Sequence, residues 1–126
     1  MAVSTLKSAP YTNYTDVSYF DGSYAGLTSH YEKFYNKDGN AIVTGVLQGT
    51  INNDISVGTA LATVPDGYRP TTQAFGSYYE SGINFARAVQ VDTDGKVRPL
   101  WSITNGNTVY IWFTYIIDNT VNQSSS

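Results

Sequence analysis

Asn105-Gly106-Asn107-Thr108-Val109-Tyr110-Ile111-Trp112-Phe113-Thr114-Tyr115-Ile116-Ile117 is the stretch that decides the fold. Gly106 supplies the positive φ of a tight turn, and the residues after it are β-branched or aromatic almost without interruption. Successive side chains of an extended chain point to opposite faces. Val109, Ile111, Phe113, Tyr115 and Ile117 therefore share one face, and Tyr110, Trp112 and Ile116 the other. Both faces are apolar. The pattern predicts a strand with one face in a core and the second covered by a loop or by a neighbouring subunit. Self-association is the preferred expectation, because Tyr110, Trp112 and Ile116 otherwise form an exposed patch.

Working outward, the same two signals recur. Gly-centred turns stand at Lys37-Asp38-Gly39-Asn40, Pro65-Asp66-Gly67-Tyr68 and Thr93-Asp94-Gly95-Lys96. Strands are expected between them at residues 31–36, 41–48, 55–64, 85–91, 97–103 and 109–117. Consecutive strands joined by short turns form antiparallel hairpins. No helical periodicity is sustained over three turns. The expectation from turns and alternation is an all-β, antiparallel sandwich or barrel over residues 31–118. Residues 1–30 read as an irregular, Tyr-rich segment, loop with one or two short strands, and 119–126 as a flexible polar tail. In residues 68–84, Pro70 and the polar run Thr71-Thr72-Gln73 predict a long surface excursion, where binding residues often sit.

The chain has 126 residues, a length for one domain, and no cysteine, so disulfides and thiolate metal sites are excluded. Its net charge is −3, and the seven Lys and Arg residues are scattered, which argues against a nucleic-acid partner. No run is long and apolar enough to expect membrane insertion. Charged residues are only 13% of the chain while tyrosine alone numbers eleven. Such a weakly charged polar surface suits neutral polar ligands such as glycans, or close packing of subunits.

Reactive constellations are few. His30 lies in a Ser-His-Tyr context without a nucleophile elbow. Asp38, Asp66 and Asp94 each precede glycine and read as turn residues rather than as members of a catalytic carboxylate pair. Asp92-Thr93-Asp94-Gly95 is followed by Lys96, Val97 and Arg98 instead of further oxygen ligands, so no calcium site is expected. The reading is of a protein with no catalytic residues, no metal and no cofactor.

One run carries a family resemblance. Gly58-Thr59-Ala60-Leu61-Ala62-Thr63-Val64-Pro65-Asp66-Gly67-Tyr68-Arg69-Pro70 resembles, almost position for position, a run in the receptor-binding tip domains of bacteriophage tail-fibre and baseplate proteins. Tyr35-Asn36-Lys37-Asp38-Gly39 with the following 42–49, and Ala88-Val89-Gln90-Val91-Asp92-Thr93-Asp94-Gly95-Lys96-Val97, resemble two hairpins of the same domains. The resemblance spans about residues 31–117 and departs from the pattern in the Tyr-rich start and an insertion at 77–82. It implies an antiparallel, jelly-roll-like β-sandwich and a virion adhesin at the phage tail tip: a homotrimer, joined to other phage tail proteins, that binds host cell-surface polysaccharide. The run also has a plain turn reading: Pro65 ends pairing, Gly67 makes the turn, Tyr68 packs inward and Arg69 reaches a carboxylate or a carbonyl. The other function classes in view are a structural or trimerisation tip domain without receptor contact, and a small glycan-cleaving enzyme.

Sugar rings stack their C–H faces on aromatic rings, while amide, carboxylate and guanidinium groups bond their hydroxyls. The candidate saccharide contacts are Trp101, Tyr78, Tyr79 and His30, with Glu80, Asn84, Arg87 and Arg98 as polar partners. Trp101 shares a face with Val97, Pro99 and Ile103 and reads as either core or binding platform.

Overall fold

The computed structural model describes residues 11–20, 26–36 and 40–117. The first three residues of the expected turn at 37–40, and the expected tail at 119–126, lie outside the described residues. Extended runs rich in β-branched and aromatic residues give eight strands: β1 (Tyr11–Phe20), β2 (Thr28–Asn36), β3 (Ala41–Thr50), β4 (Ala62–Thr63), β5 (Ala74–Glu80), β6 (Arg87–Val91), β7 (Lys96–Pro99) and β8 (Thr108–Ile117). No helix occurs among the described residues. Every pairing is antiparallel, and the strands form one sheet in the order β1-β2-β3-β8-β5-β6-β7-β4.

The last strand of the sequence is central in the sheet. β8 pairs with β3 from Ala41↔Ile117 to Thr50↔Thr108 and with β5 from Ser77↔Trp112 to Glu80↔Val109. Its residues alternate between buried and exposed along its whole length, in the phase expected from the sequence. Phe113 lies between two glycines on the flanking strands. A Cβ on Gly45 of β3 would stand 2.3 Å from the Phe113 ring, and one on Gly76 of β5 would stand 2.4 Å from the Trp112 carbonyl oxygen and 2.6 Å from Phe113 Cβ. The ring also stacks on Tyr115, with centroids 5.9 Å apart, and leans on Tyr31 of β2 at 6.3 Å.

A sheet with one apolar face and no helix to cover it must curl upon itself. Buried side chains from β2, β3, β5, β6, β7 and β8 accordingly belong to one continuous core, which includes Tyr31, Leu47, Tyr78, Val89, Val97 and Ile111. Closure is made by the Pro65–Pro70 run, which leaves β4 at the far edge and reaches the other half of the sheet. Tyr115 Oη donates to the Tyr68 carbonyl, and Lys33 Nζ of β2 donates to the Gly67 carbonyl while lying 5.3 Å from the Tyr68 ring centroid. Burial, with Tyr31 adding to it, pushes the Tyr115 phenol well above its ordinary value, so it remains a donor throughout the physiological range. Tyr68 packs inward as expected, and Arg69 Nε reaches the Val64 carbonyl at 2.8 Å. The sheet thus curls nearly into a barrel.

Within residues 1–30, where one or two short strands are expected, lie the ten residues of β1, which pairs with β2, and the start of β2 itself. Three expectations are corrected. The strand at 55–64 shrinks to a single bridge, Ile55↔Ile103, and the two residues of β4. Gly58, at φ +83°, turns the chain between them, with Thr59 N–H bonded to Ser56 O. The strand at 97–103 ends at Pro99. The surface excursion at 68–84 contains β5, a full member of the sheet.

Gly45→Ala forces a methyl group into the Phe113 ring, an overpacking that costs about 1–3 kcal/mol. Urea denaturation is expected to show a lower midpoint with an unchanged slope.

Candidate functional site at the rim of the sheet

At the end of β5, the residues that point inward reach the rim of the curled sheet. Tyr78 and Glu80 share this phase, and Arg87, which opens β6, is the register partner of Tyr78. Glu80 is 2% exposed. A buried carboxylate must be paired and hydrogen-bonded. Its Oε2 accepts from Thr104 N–H at 3.0 Å and from Asn107 Nδ2 at 2.7 Å, and its Oε1 lies 3.5 Å from an Arg87 guanidinium nitrogen.

Two aromatic rings lie against that guanidinium. The Arg87 guanidinium carbon is 4.9 Å from the centroid of Trp101 and 5.4 Å from that of Phe85. Trp101 is 50% and Phe85 59% exposed. Beneath them Tyr78 is fully buried and donates from Oη to the Trp101 carbonyl at 3.2 Å. Burial raises the Tyr78 phenol, partly offset by the hydrogen bond and charge of Arg87. The arrangement is a solvent-facing pair of rings on a planar cation whose charge is balanced by a buried carboxylate. It offers stacking surface with little net charge, and its positions are fixed by hydrogen bonds between β5 and the connection from β7 to β8.

The sequence-derived candidates divide into groups. Glu80, Arg87 and Trp101 converge at the rim, and Asn84 is exposed in the connection that carries Phe85. Tyr78 and Glu80 are corrected: both are buried and support the surface instead of presenting themselves on it, because β5 runs through the region expected to be loop. Trp101, left open between core and platform, is exposed. Phe85, Thr104 and Asn107 were not among the candidates. Phe85 has the β-propensity of a strand residue, which hid its place in a loop beside Gly82.

Tyr79 points the opposite way from Tyr78, onto the outer face of the sheet. There it stands opposite Tyr110, which lies 6.0 Å from Trp112. Along the same outer face Val46 opposes Trp112, and Ile42 opposes Ile116, itself 64% exposed. His30 is in the same row as Val46 and Trp112 and lies 3.6 Å from Glu32. No described loop covers Tyr110, Trp112 or Ile116, so the second face of β8 is an exposed apolar surface in the single chain.

Arg98 belongs to neither group. Its Nε bonds Asp92 Oδ2 at 2.9 Å and a terminal nitrogen bonds the Gly58 carbonyl at 2.7 Å. Asp92 Oδ1 also accepts from Gln73 at 3.1 Å and Gln90 at 2.8 Å. These contacts tie the β6–β7 hairpin to the segments before β4 and β5, so Arg98 serves as a brace away from the rim cluster. Among the described residues no group of three or more His, Asp or Glu side chains is placed to hold a metal ion.

No protein-family model matches the chain, and no curated protein matches its sequence.

Glu80→Ala leaves Arg87 without its counter-charge and removes two hydrogen bonds, and is expected to cost about 3 kcal/mol of stability in urea denaturation. Trp101→Ala, at an exposed position, is expected to cost at most about 1 kcal/mol in the same measurement.

The amides of Gln73 and Gln90, then Arg98, hold the Asp92 carboxyl below its ordinary value of 3.8. A folded-state value below the unfolded one adds stability above the unfolded value, and that stability is lost as pH falls through the folded value. The stability advantage of the wild type over Asp92→Asn is therefore expected to shrink as pH drops below about 4, measured by urea midpoints across the acid range.

Proposed function

We propose that this chain is a phage virion receptor-binding domain, an adhesin that attaches non-covalently to host cell-surface saccharide. The observation that carries the reading is the rim cluster: Trp101 and Phe85 face solvent over an Arg87–Glu80 pair that cancels its own charge. Exposed aromatic rings with nearby polar groups and little net charge match the needs of a neutral sugar, whose C–H face stacks while its hydroxyls are bonded from the side. The resemblance of the Gly58–Pro70 run to phage tip domains supplies the phage setting. In this reading the curled sheet is the jelly-roll-like sandwich of those domains, assembled as a homotrimer at the tail tip. Weak binding at each subunit is then multiplied by linked copies.

The reading is non-enzymatic. Glu80 is engaged by two donors and an arginine, and Asp66 and Asp94 accept hydrogen bonds within their own turns. A second reading rests on the outer face: Tyr79, Tyr110, Trp112 and Ile116 form an apolar surface suited to sister subunits, as in a structural or trimerisation tip domain.

An array of bacterial surface polysaccharides tests both. The wild type is expected to bind at least one of them, and Trp101→Ala and Phe85→Ala to weaken that binding about tenfold or more. A folded protein that binds no polysaccharide sinks the adhesin reading, and binding indifferent to both substitutions sinks the rim as its site. Light scattering at micromolar concentration is expected to give a trimer that Trp112→Lys dissociates; a monomeric wild type removes the assembly.

A further inference from the structure

Three turns of the described residues place glycine after aspartate or asparagine, a pairing open to spontaneous chemistry at the side chain. The glycine nitrogen attacks the side-chain carbonyl carbon of the preceding residue, provided that the nitrogen is not held elsewhere and can approach that carbon. At Asn105-Gly106 the Gly106 N–H is held by the Ile51 carbonyl at 2.8 Å. At Asp94-Gly95 the Gly95 N–H donates to the Asp92 carbonyl at 2.8 Å, while Asp94 Oδ1 accepts from Lys96 N–H at 3.1 Å. Gly95 is also buried, with the Val64 carbonyl oxygen 2.6 Å from where a Cβ would stand.

Asp66-Gly67 differs in each respect. The Gly67 N–H meets Asp66 Oδ1 itself at 3.1 Å, which brings the nucleophile beside the carbon it attacks. Both residues are exposed, and the space around Gly67, at φ +88°, is open to 4 Å.

We propose that Asp66-Gly67 is a site of spontaneous isoaspartate formation in the folded protein. The Gly67 nitrogen forms a bond to Asp66 Cγ, the Cγ–OH bond of the protonated carboxyl breaks, and the hydroxyl leaves as water with the proton from nitrogen. The product is a five-membered succinimide. Water then adds to either ring carbonyl. Addition at Cγ restores aspartate. Addition at the main-chain carbonyl leaves the chain running through Cβ, one methylene longer. No oxidant, reductant or second substrate is needed. The lengthened link sits directly before the Gly67 and Tyr68 carbonyls that receive Lys33 and Tyr115, so the modification acts on the closure of the sheet.

The test incubates the full chain, folded, in mildly acidic buffer made with oxygen-18 water. Digestion and electron-transfer fragmentation then locate isoaspartate and incorporated label at each site. Each rate is divided by the rate of the same site in the chain unfolded in guanidinium chloride. Asp66 is expected to give a ratio near one. Asp94 and Asn105 are expected to fall about tenfold or more below it, the factor that opening a hydrogen-bonded turn imposes. Asp66→Glu, which cannot close the five-membered ring, is expected to abolish the signal at 66. The proposal is overturned by an Asp66 that is stable folded yet converts when unfolded, by equal ratios at all three sites, or by a signal at 66 that survives Asp66→Glu.

Discussion

The close approach of Phe113 to Gly45 and Gly76 is the constraint on which the remaining structure depends. A ring at the centre of a sheet has room only if its neighbours have no side chain on that face, and glycine normally weakens a strand. Here the loss is offset by the packing of Phe113 into the space, where it stacks with Tyr115 and meets Tyr31. Because the two glycines stand on different strands, they fix β8 between β3 and β5, although β3 and β8 are far apart in sequence. The curl of the sheet, the burial of Tyr115 and its reach to the Tyr68 carbonyl follow from that placement.

Electrostatics in this weakly charged chain is concentrated in braces. Glu80 joins β5 to the loop before β8 and to Arg87, and Asp92 joins β6 and β7 to the segments around Gln73 and Gly58. Glu80 accepts from two donors of one loop through Oε2 and faces Arg87 with Oε1, while Asp92 accepts from Gln73, Gln90 and Arg98 on separate segments. Burial or partial burial is thus offset by hydrogen bonds and opposite charge. The rim gains a cation held in place among its rings, and the loops gain fixed positions.

How much of this was legible in the sequence depended on whether side-chain pattern and backbone agreed. β8 was readable in phase as well as position, because its inward residues are uniformly apolar and its turn is marked by Gly106. β5 was not. Its inward positions hold Gly76 and Glu80, and the adjacent Tyr78 and Tyr79 give no sign of which faces inward. A strand whose buried face contains a glycine and a paired carboxylate reads as loop, so Tyr78 and Glu80 were assigned to the wrong environment. The run at 55–64 erred the other way: its composition fits a strand, but Gly58 takes a left-handed turn that composition alone does not reveal. At the rim, Arg87 and Trp101 stood out by residue type, whereas Phe85 resembled a strand residue and Asn107 a turn residue. Only the fold brings their two segments together at the end of β5.

Gly76 also fixes which environment each side chain of β5 occupies. The strand serves two surfaces at once, with Tyr78 and Glu80 directed to the rim and interior and Tyr79 to the outer face. A slip of one residue in its pairing exchanges all of them. The slip would place Ser77 or Phe75 where only a hydrogen fits against β8, so the glycine acts as an index mark for the strand. The rim and the outer face are therefore set in opposite phase by a single residue that belongs to neither, and each can change its outward side chains without disturbing the other.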